Sequence, residues 1–241
     1  MPRFFIPADA VCGDTITVNG SDALHIGRSL RMKCGDSITF CREGTDHSCT
    51  ILRITGDSVI CHIDDTRPIS GEPRLRLTLF QALPKQDKSE LIIQKATELG
   101  AARIVFFLSK RCVSRPDEKS AAKKIERYRK IAEAAAKQSG RGIIPQIDGI
   151  IGFSDALREM ESITIKLICY ENGGARLSEI DFSDVTDCGV MIGAEGGFEH
   201  SEIAATRDCG CIPIWLGERI LRCETCPIAV TAIIMNKSGD L

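Results

Sequence analysis

From residue 74 onward, apolar runs alternate with helical patterns: LRLTLFQAL, then KSELIIQKATELG, then ARIVFFL, then a long helical pattern from about Pro116 to Ser139. This order is the strongest constraint in the chain. Strands that each follow a helix return to the same edge of a sheet and pair in parallel, so the expected fold is α/β with a mainly parallel sheet. In the long helix Ile125, Tyr128, Ala132 and Ala135 recur at helical spacing and are expected to face the core. Lys119, Lys123, Arg127 and Lys130 share another flank, which is expected to be a basic surface. Further strands, ITIKLICY and CGVMIG, each run into a glycine-rich turn, and the chain closes with CIPIWL and an apolar helix through AVTAIIM.

The first 70 residues read differently. Short β segments, TITV, DSITF, SCTILRI and SVICHIDD, are separated by turn residues and fit a small barrel. One helical insertion, ALHIGRSLRM, follows Ser21 and Asp22, either of which is expected to cap it. The stretch RPISGEPR, residues 67–74, resists both helix and central strand and is the expected boundary. Two domains result, 1–70 and 74–241.

With 241 residues the chain can bury its own core without staples. No apolar run approaches a membrane helix and the start lacks a secretory layout, so a soluble, cytoplasmic protein without a membrane partner is expected. The twelve cysteines are scattered and form no paired zinc-ribbon spacing. Cys223 and Cys226, and Cys209 and Cys211, read as small buried hydrophobes, and no metal is expected. The formal charge of -2 hides a segregation: residues 85–141 hold 15 Lys and Arg against 7 Asp and Glu, a net of +8, which leaves -10 for the remainder. So basic a segment in an acidic chain is a phosphate-facing candidate, with a solvated helix face as the alternative.

Two loops carry the chemistry. IGAEGGF, residues 192–198, follows an apolar strand directly, and its glycines let backbone approach a ligand because the missing Cβ removes the steric barrier. It has neither the G-x-G-x-x-G spacing of a dinucleotide site nor the G-K-[ST] ending of a phosphate loop. LGERILRCET, residues 216–225, is a second strand-end glycine loop, with Arg219 and Arg222 flanking Ile220 and Leu221. Two such loops near one sheet edge are placed to wrap one ligand.

Read with the rest of the chain, these loops resemble the RsmE family of 16S ribosomal RNA (uracil-N3)-methyltransferases, which are SPOUT enzymes. IGAEGGF is similar to the family's IGPEGGF and LGERILRCETC to its LGxRILRTETA. KQDKSELIIQKATELG (85–100), RYRKIAEAAAKQSGR (127–141) and HIGRSLRMKCGD (25–36) resemble three further family motifs, in the same order. The resemblance implies an amino-terminal PUA-like β-barrel that holds RNA and a carboxy-terminal α/β domain tied in a trefoil knot. It also implies a homodimer whose S-adenosyl-L-methionine lies at Gly193, Glu195, Gly196, Gly197, Leu216, Gly217, Ile220, Leu221 and Arg222. The chain departs from the pattern in three places. Ala194 replaces a proline, and Cys223 and Cys226 replace Thr and Ala, which puts any hydroxyl role at position 223 in doubt.

The implied reaction methylates N3 of a uridine in 16S rRNA of the small ribosomal subunit. N3 is protonated at neutral pH, so a base must take its proton or cations must stabilise the uracil anion. N3 also lies on the pairing edge, so the target must be unpaired or flipped. Arg141 and Arg222 are the expected charge-stabilising or phosphate-orienting groups, and Glu195 and Glu171 the candidate bases. His25, Arg28, Arg31, Lys123, Arg127 and Arg141 are the expected RNA contacts. Two rival readings stay open, a knotted methyltransferase acting on transfer RNA or another base and a catalytically silent RNA-binding module.

Overall fold

The computed structural model describes residues 2–85 and 87–241; Gln86, inside the 85–100 motif, lies outside them. The chain divides into two compact units, one of residues 1–72 with Lys137–Ile143, the other of residues 73–136 with 144–241.

The first unit is a six-stranded sheet. Its strands are β1 (Arg3–Phe5), β2 (Val11–Cys12), β3 (Thr15–Asn19), β4 (Ser37–Arg42), β5 (Thr45–Ile54) and β6 (Ser58–Pro68), in the order β1-β4-β5-β6-β3-β2. Only β1 and β4 pair in parallel. Glu43 and Gly44, both at positive φ, join β4 to β5 in a two-residue turn whose twist matches the strands. Ile16, Ile38, Phe40, Cys49, Ile51, Val59 and Cys61 point inward by strand alternation and form the core.

The helical insertion differs from expectation at both ends. It comprises α1 (Ser21–Leu24) and a π-helical turn over His25–Ser29, preceded by Gly20 at φ 70°, so Ser21 and Asp22 lie inside the helix and cap nothing. β3 runs to Asn19, which leaves a single glycine to reverse the chain. The helix stops short of Met32 because Arg31 takes the left-handed conformation, φ 54°. Residues Lys137–Ile143, which the linear reading places with the carboxy-terminal domain, pack in this unit. Glu72 binds them: its Oε1 accepts the backbone N–H groups of Gly142 (2.6 Å) and Ile143 (3.1 Å).

The second unit holds β7 (Arg76–Ala82), α2 (Lys88–Glu98), β8 (Arg103–Leu108), α3 (Glu118–Ser139, its last residues in the first unit) and β9 (Ile150–Gly152). There follow α4 (Phe153–Glu161), β10 (Ile165–Cys169), β11 (Asp187–Ile192), α5 (His200–Asp208), β12 (Ile212–Ile214) and α6 (Thr225–Ser238). All six strands are parallel, in the order β12-β10-β11-β7-β8-β9, as the alternation requires. The protein is thus a mixed α/β fold. The strands are nearly continuous apolar runs because helices cover them; Leu77, Leu79, Phe80, Phe106, Phe107, Val190 and Met191 are buried.

Asp117 starts α3 by accepting the Ser120 N–H at 2.7 Å. The expected stripe of Ile125, Tyr128, Ala132 and Ala135 is buried, and Lys119, Lys123, Arg127 and Lys130 are exposed. The chain builds outward from β7 through β8 to β9, then crosses to β10 and inserts β11 beside β7. That reversal puts the carboxyl ends of β10, β11 and β12 side by side, where open parallel sheets bind ligands. Among the described residues no helix is long and apolar enough to cross a membrane.

Candidate active site

The loop after β11 is a tight turn fixed at both ends. The Gly197 N–H donates to the Ala194 carbonyl at 3.0 Å, which needs the positive φ of 65° that Gly197 adopts. At its start Gln81 Nε2 donates to the Gly193 carbonyl at 3.2 Å. At its end Phe198 is buried and stacks on Phe107 of β8, centroids 6.4 Å apart and planes 6° apart. Close approach of backbone explains the other glycine: a Cβ on Gly193 would lie 3.1 Å from Gly197 Cα.

The second loop leaves β12 and enters α6. Together the loops line one cavity of about 450 Å³, within the range of roughly 300–1,000 Å³ typical of small-molecule sites. Its lining includes Gly193, Glu195, Gly196, Gly197, Leu216, Gly217, Ile220, Leu221 and Arg222, each expected from the sequence, and Glu171, at the end of β10. Trp215, Cys169 and Lys88 also line it. Ile220 is 84% exposed, an apolar side chain at the cavity rim.

The two carboxylates expected to act as bases stand in different surroundings. Glu195 Oε1 receives the backbone N–H of Lys85 at 3.1 Å and lies 3.1 Å from Lys88 Nζ. Burial alone would raise its pKa, but hydrogen bonds from its own backbone, from Lys88 and from Lys85 hold it below the usual carboxylate range. Lys88 Nζ also lies 3.1 Å from Glu224 Oε2, and the hydrogen bonds to Glu224 and Glu195 push the ammonium pKa up. Burial, helped by the Glu224 carboxylate, pushes the Cys223 thiol up to about 12, so it is no nucleophile near neutral pH. Glu171, by contrast, is exposed and makes no hydrogen bond or ion pair among the described residues. Its carboxylate lies over the loop: a Cβ on Gly197 would meet Glu171 Oε1 at 2.9 Å.

The other expected residues lie elsewhere. Arg141 does not line the cavity; it is 5% exposed in the first unit, with NH2 2.8 Å from Glu72 Oε2. A guanidinium so enclosed is matched to a carboxylate by the fold, which the exposed-cation reading of the sequence did not anticipate. His25, Arg28 and Arg31 are exposed in the first unit, Lys123 and Arg127 on α3 in the second. Arg127 is paired with Glu90 at 2.6 Å.

Sequence reasoning missed Lys88, Glu224 and Arg111. Lys88 stood inside the quoted 85–100 motif, and Glu224 within the second loop. Arg111 had no signal: its Nε donates to Glu199 Oε1 and its NH1 to the Gly196 carbonyl, each at 2.8 Å, so it braces the first loop from outside.

A parallel sheet with two glycine loops closing on one cavity at its switch point matches the RNA methyltransferase domain family over residues 71–235, which sets the class of the protein. Ribosomal RNA small subunit methyltransferase E of Bacillus subtilis (strain 168) is 32% identical over 228 residues, covering 91% of this chain and 89% of its own. The protein of that name in Mycobacterium tuberculosis (strain CDC 1551 / Oshkosh) is 33% identical over 229 residues, covering 92% of this chain and 86% of its own. A crystal structure of the Neisseria gonorrhoeae ribosomal RNA small subunit methyltransferase E bound to S-adenosyl methionine is similar at TM-score 0.88 and 30% identity, covering 98% of this chain and 97% of that one. The chain belongs to the ribosomal RNA small subunit methyltransferase E family.

Proposed function

We propose that the protein methylates N3 of a uridine in 16S rRNA of the small ribosomal subunit, with S-adenosyl-L-methionine as donor. The observation that carries this reading is that both glycine loops line one cavity at the carboxyl ends of neighbouring parallel strands. The residues present fit the donor. Gly193 and Gly197 form a wall that a Cβ would fill, while Trp215, Leu216, Ile220 and Leu221 offer apolar surface for an adenine ring. Bound there, the donor supplies an electrophilic methyl group on a sulfonium. The Neisseria relative, solved with that molecule, supports the assignment.

The chain's own task is then to align the uracil, exclude water and deal with one proton. Glu171 is the better placed base: it makes no hydrogen bond or ion pair among the described residues and overlies the cofactor loop, whereas Lys88 and the Lys85 amide occupy Glu195. Glu195 orients the loop. Arg222, exposed at the cavity, is the group to stabilise charge developing on the uracil oxygens. Arg141, matched to Glu72, serves the first unit instead.

On this reading the first unit is a PUA-like barrel that grips RNA through His25, Arg28 and Arg31, and Lys123 and Arg127 add contacts from α3. The second unit is a trefoil-knotted SPOUT domain. The crossover that inserts β11 between β10 and β7 supports such a threading. Two chains form the homodimer, which works in the cytoplasm.

Nucleoside mass spectrometry of 16S rRNA from cells lacking the gene tests the proposal. One N3-methyluridine is expected to disappear. A lost transfer RNA modification, or no lost methylation, overturns it in favour of one or the other rival reading.

A further inference from the structure

A cavity between two loops that are separate in the chain, residues 192–198 and 216–225, exists only if something fixes their separation. Lys88 reaches both. Its Nζ lies 3.1 Å from Glu195 Oε1 on the first loop, 3.1 Å from Glu224 Oε2 on the second, and 3.6 Å from Cys223 Sγ beside it. The lysine side chain is 26% exposed and its partners 30% and 18%, so the cluster is screened less than a surface pair. Lys88 opens α2, whose Ser89, Ile92, Ile93 and Ala96 are buried, so the ammonium projects from a fixed helix. Without it, two carboxylates that share one cation would face each other and repel.

We infer that Lys88 is a positioning residue that ties the two loops into one donor-binding cavity; this rests on the reading of that cavity as the donor site. Lys88 itself transfers no proton. Its removal loosens the loops and lowers donor affinity, while Glu171 and Arg222 still act on whatever substrate is bound.

Calorimetry with S-adenosylmethionine on the intact protein provides the test, using K88M, K88R, E224Q and the double variant K88M/E224Q. K88M is expected to weaken binding at least about tenfold and K88R by less than about threefold, because arginine keeps the charge. The double variant is expected to bind no more weakly than K88M, since the second change relieves the repulsion the first creates. In turnover, KM for the donor should rise in K88M with kcat within about threefold of the parent. Unchanged donor affinity in K88M, additive losses in the double variant, or a collapsed kcat at unchanged KM would overturn the inference. If K88M does not fold, K88R and E224Q decide: loss of affinity in E224Q with retention in K88R upholds the clamp, and the reverse overturns it. Should the unmutated protein itself bind no donor, the cavity reading fails with it, a result distinct from any failure confined to the variants.

Discussion

Glu171 and Glu195 are both glutamates lining the cavity, yet their surroundings give them different work. Glu195 is held by Lys88 and the Lys85 amide, whereas Glu171 makes no hydrogen bond or ion pair among the described residues. Glu171→Gln is therefore expected to lower kcat by about 10²–10⁴ with little change in donor affinity. Glu195→Gln should instead weaken donor binding. Single-turnover kinetics beside calorimetry separates the two, and equal effects on both quantities would argue against the division of roles. The pH dependence follows from the clamp. The carboxyls of Glu195 and Glu224 are depressed, so their contribution is present above the ordinary carboxylate pKa and lost as pH falls through their lower folded values. Lys88 is raised, so its contribution is lost only as pH rises through a value above that of ordinary lysine. The clamp's contribution to donor affinity is expected to be flat from about pH 6 to 9 and to fall in acid, as a calorimetric pH series comparing the parent with K88M would show. The loop glycines and Glu195 were legible because a local motif carries them. The Lys88 pairing and the burial of Arg141 were not, since which cation meets which anion between segments far apart in the chain leaves no trace in spacing.

The loop after β11 behaves as an element with one apolar anchor. Phe198 is buried among Phe107 and Phe153, and truncating it removes both transfer free energy and packing. Phe198→Ala should cost about 3–5 kcal/mol of stability by denaturant unfolding, and donor affinity should fall with it as the turn loses its end point. A stable variant with full affinity would show that the turn is held by its own hydrogen bonds. Between β10 and β11 the chain pairs with β12 through Ala175, and a Cβ on Gly174 would lie 2.3 Å from the Pro213 carbonyl oxygen. Backbone cannot swing aside as a side chain can. At the element scale the sequence was informative wherever periodicity had room to repeat: the buried stripe of α3 and the long parallel strands were both readable. β1, β2 and β9, of two or three residues, are too short to show a period, and the π-helical turn at His25–Ser29 has no simple sequence signature.

For the whole molecule the question is how a chain of net charge -2 grips a polyanion. The excess of positive charge in residues 85–141 marked the segment, but the fold consumes much of it. Arg127 is paired with Glu90, Lys130 with Glu126, Arg103 with Asp148 and Glu159, and Arg141 with Glu72. The basic count therefore overstated the surface, because a tally of charges cannot separate a cation facing solvent from one neutralised by a neighbour. Lys119 and Lys123 are exposed on α3 and have no ion pair among the described residues. They are the cations on that flank that can release counterions from RNA without first breaking an internal pair. Lys123→Ala is accordingly expected to weaken RNA binding roughly uniformly over sequence and to reduce the slope of log affinity against log salt by about 0.7–0.9, one phosphate contact. Arg127→Ala should change the slope by less and lower thermal stability slightly, because it also leaves Glu90 unpaired. Fluorescence anisotropy with a 16S rRNA fragment across a salt series measures both slopes. Equal slopes for the parent and Lys123→Ala would move the RNA track off α3, leaving the exposed cations of the first unit, Arg28 and Arg31, to carry it.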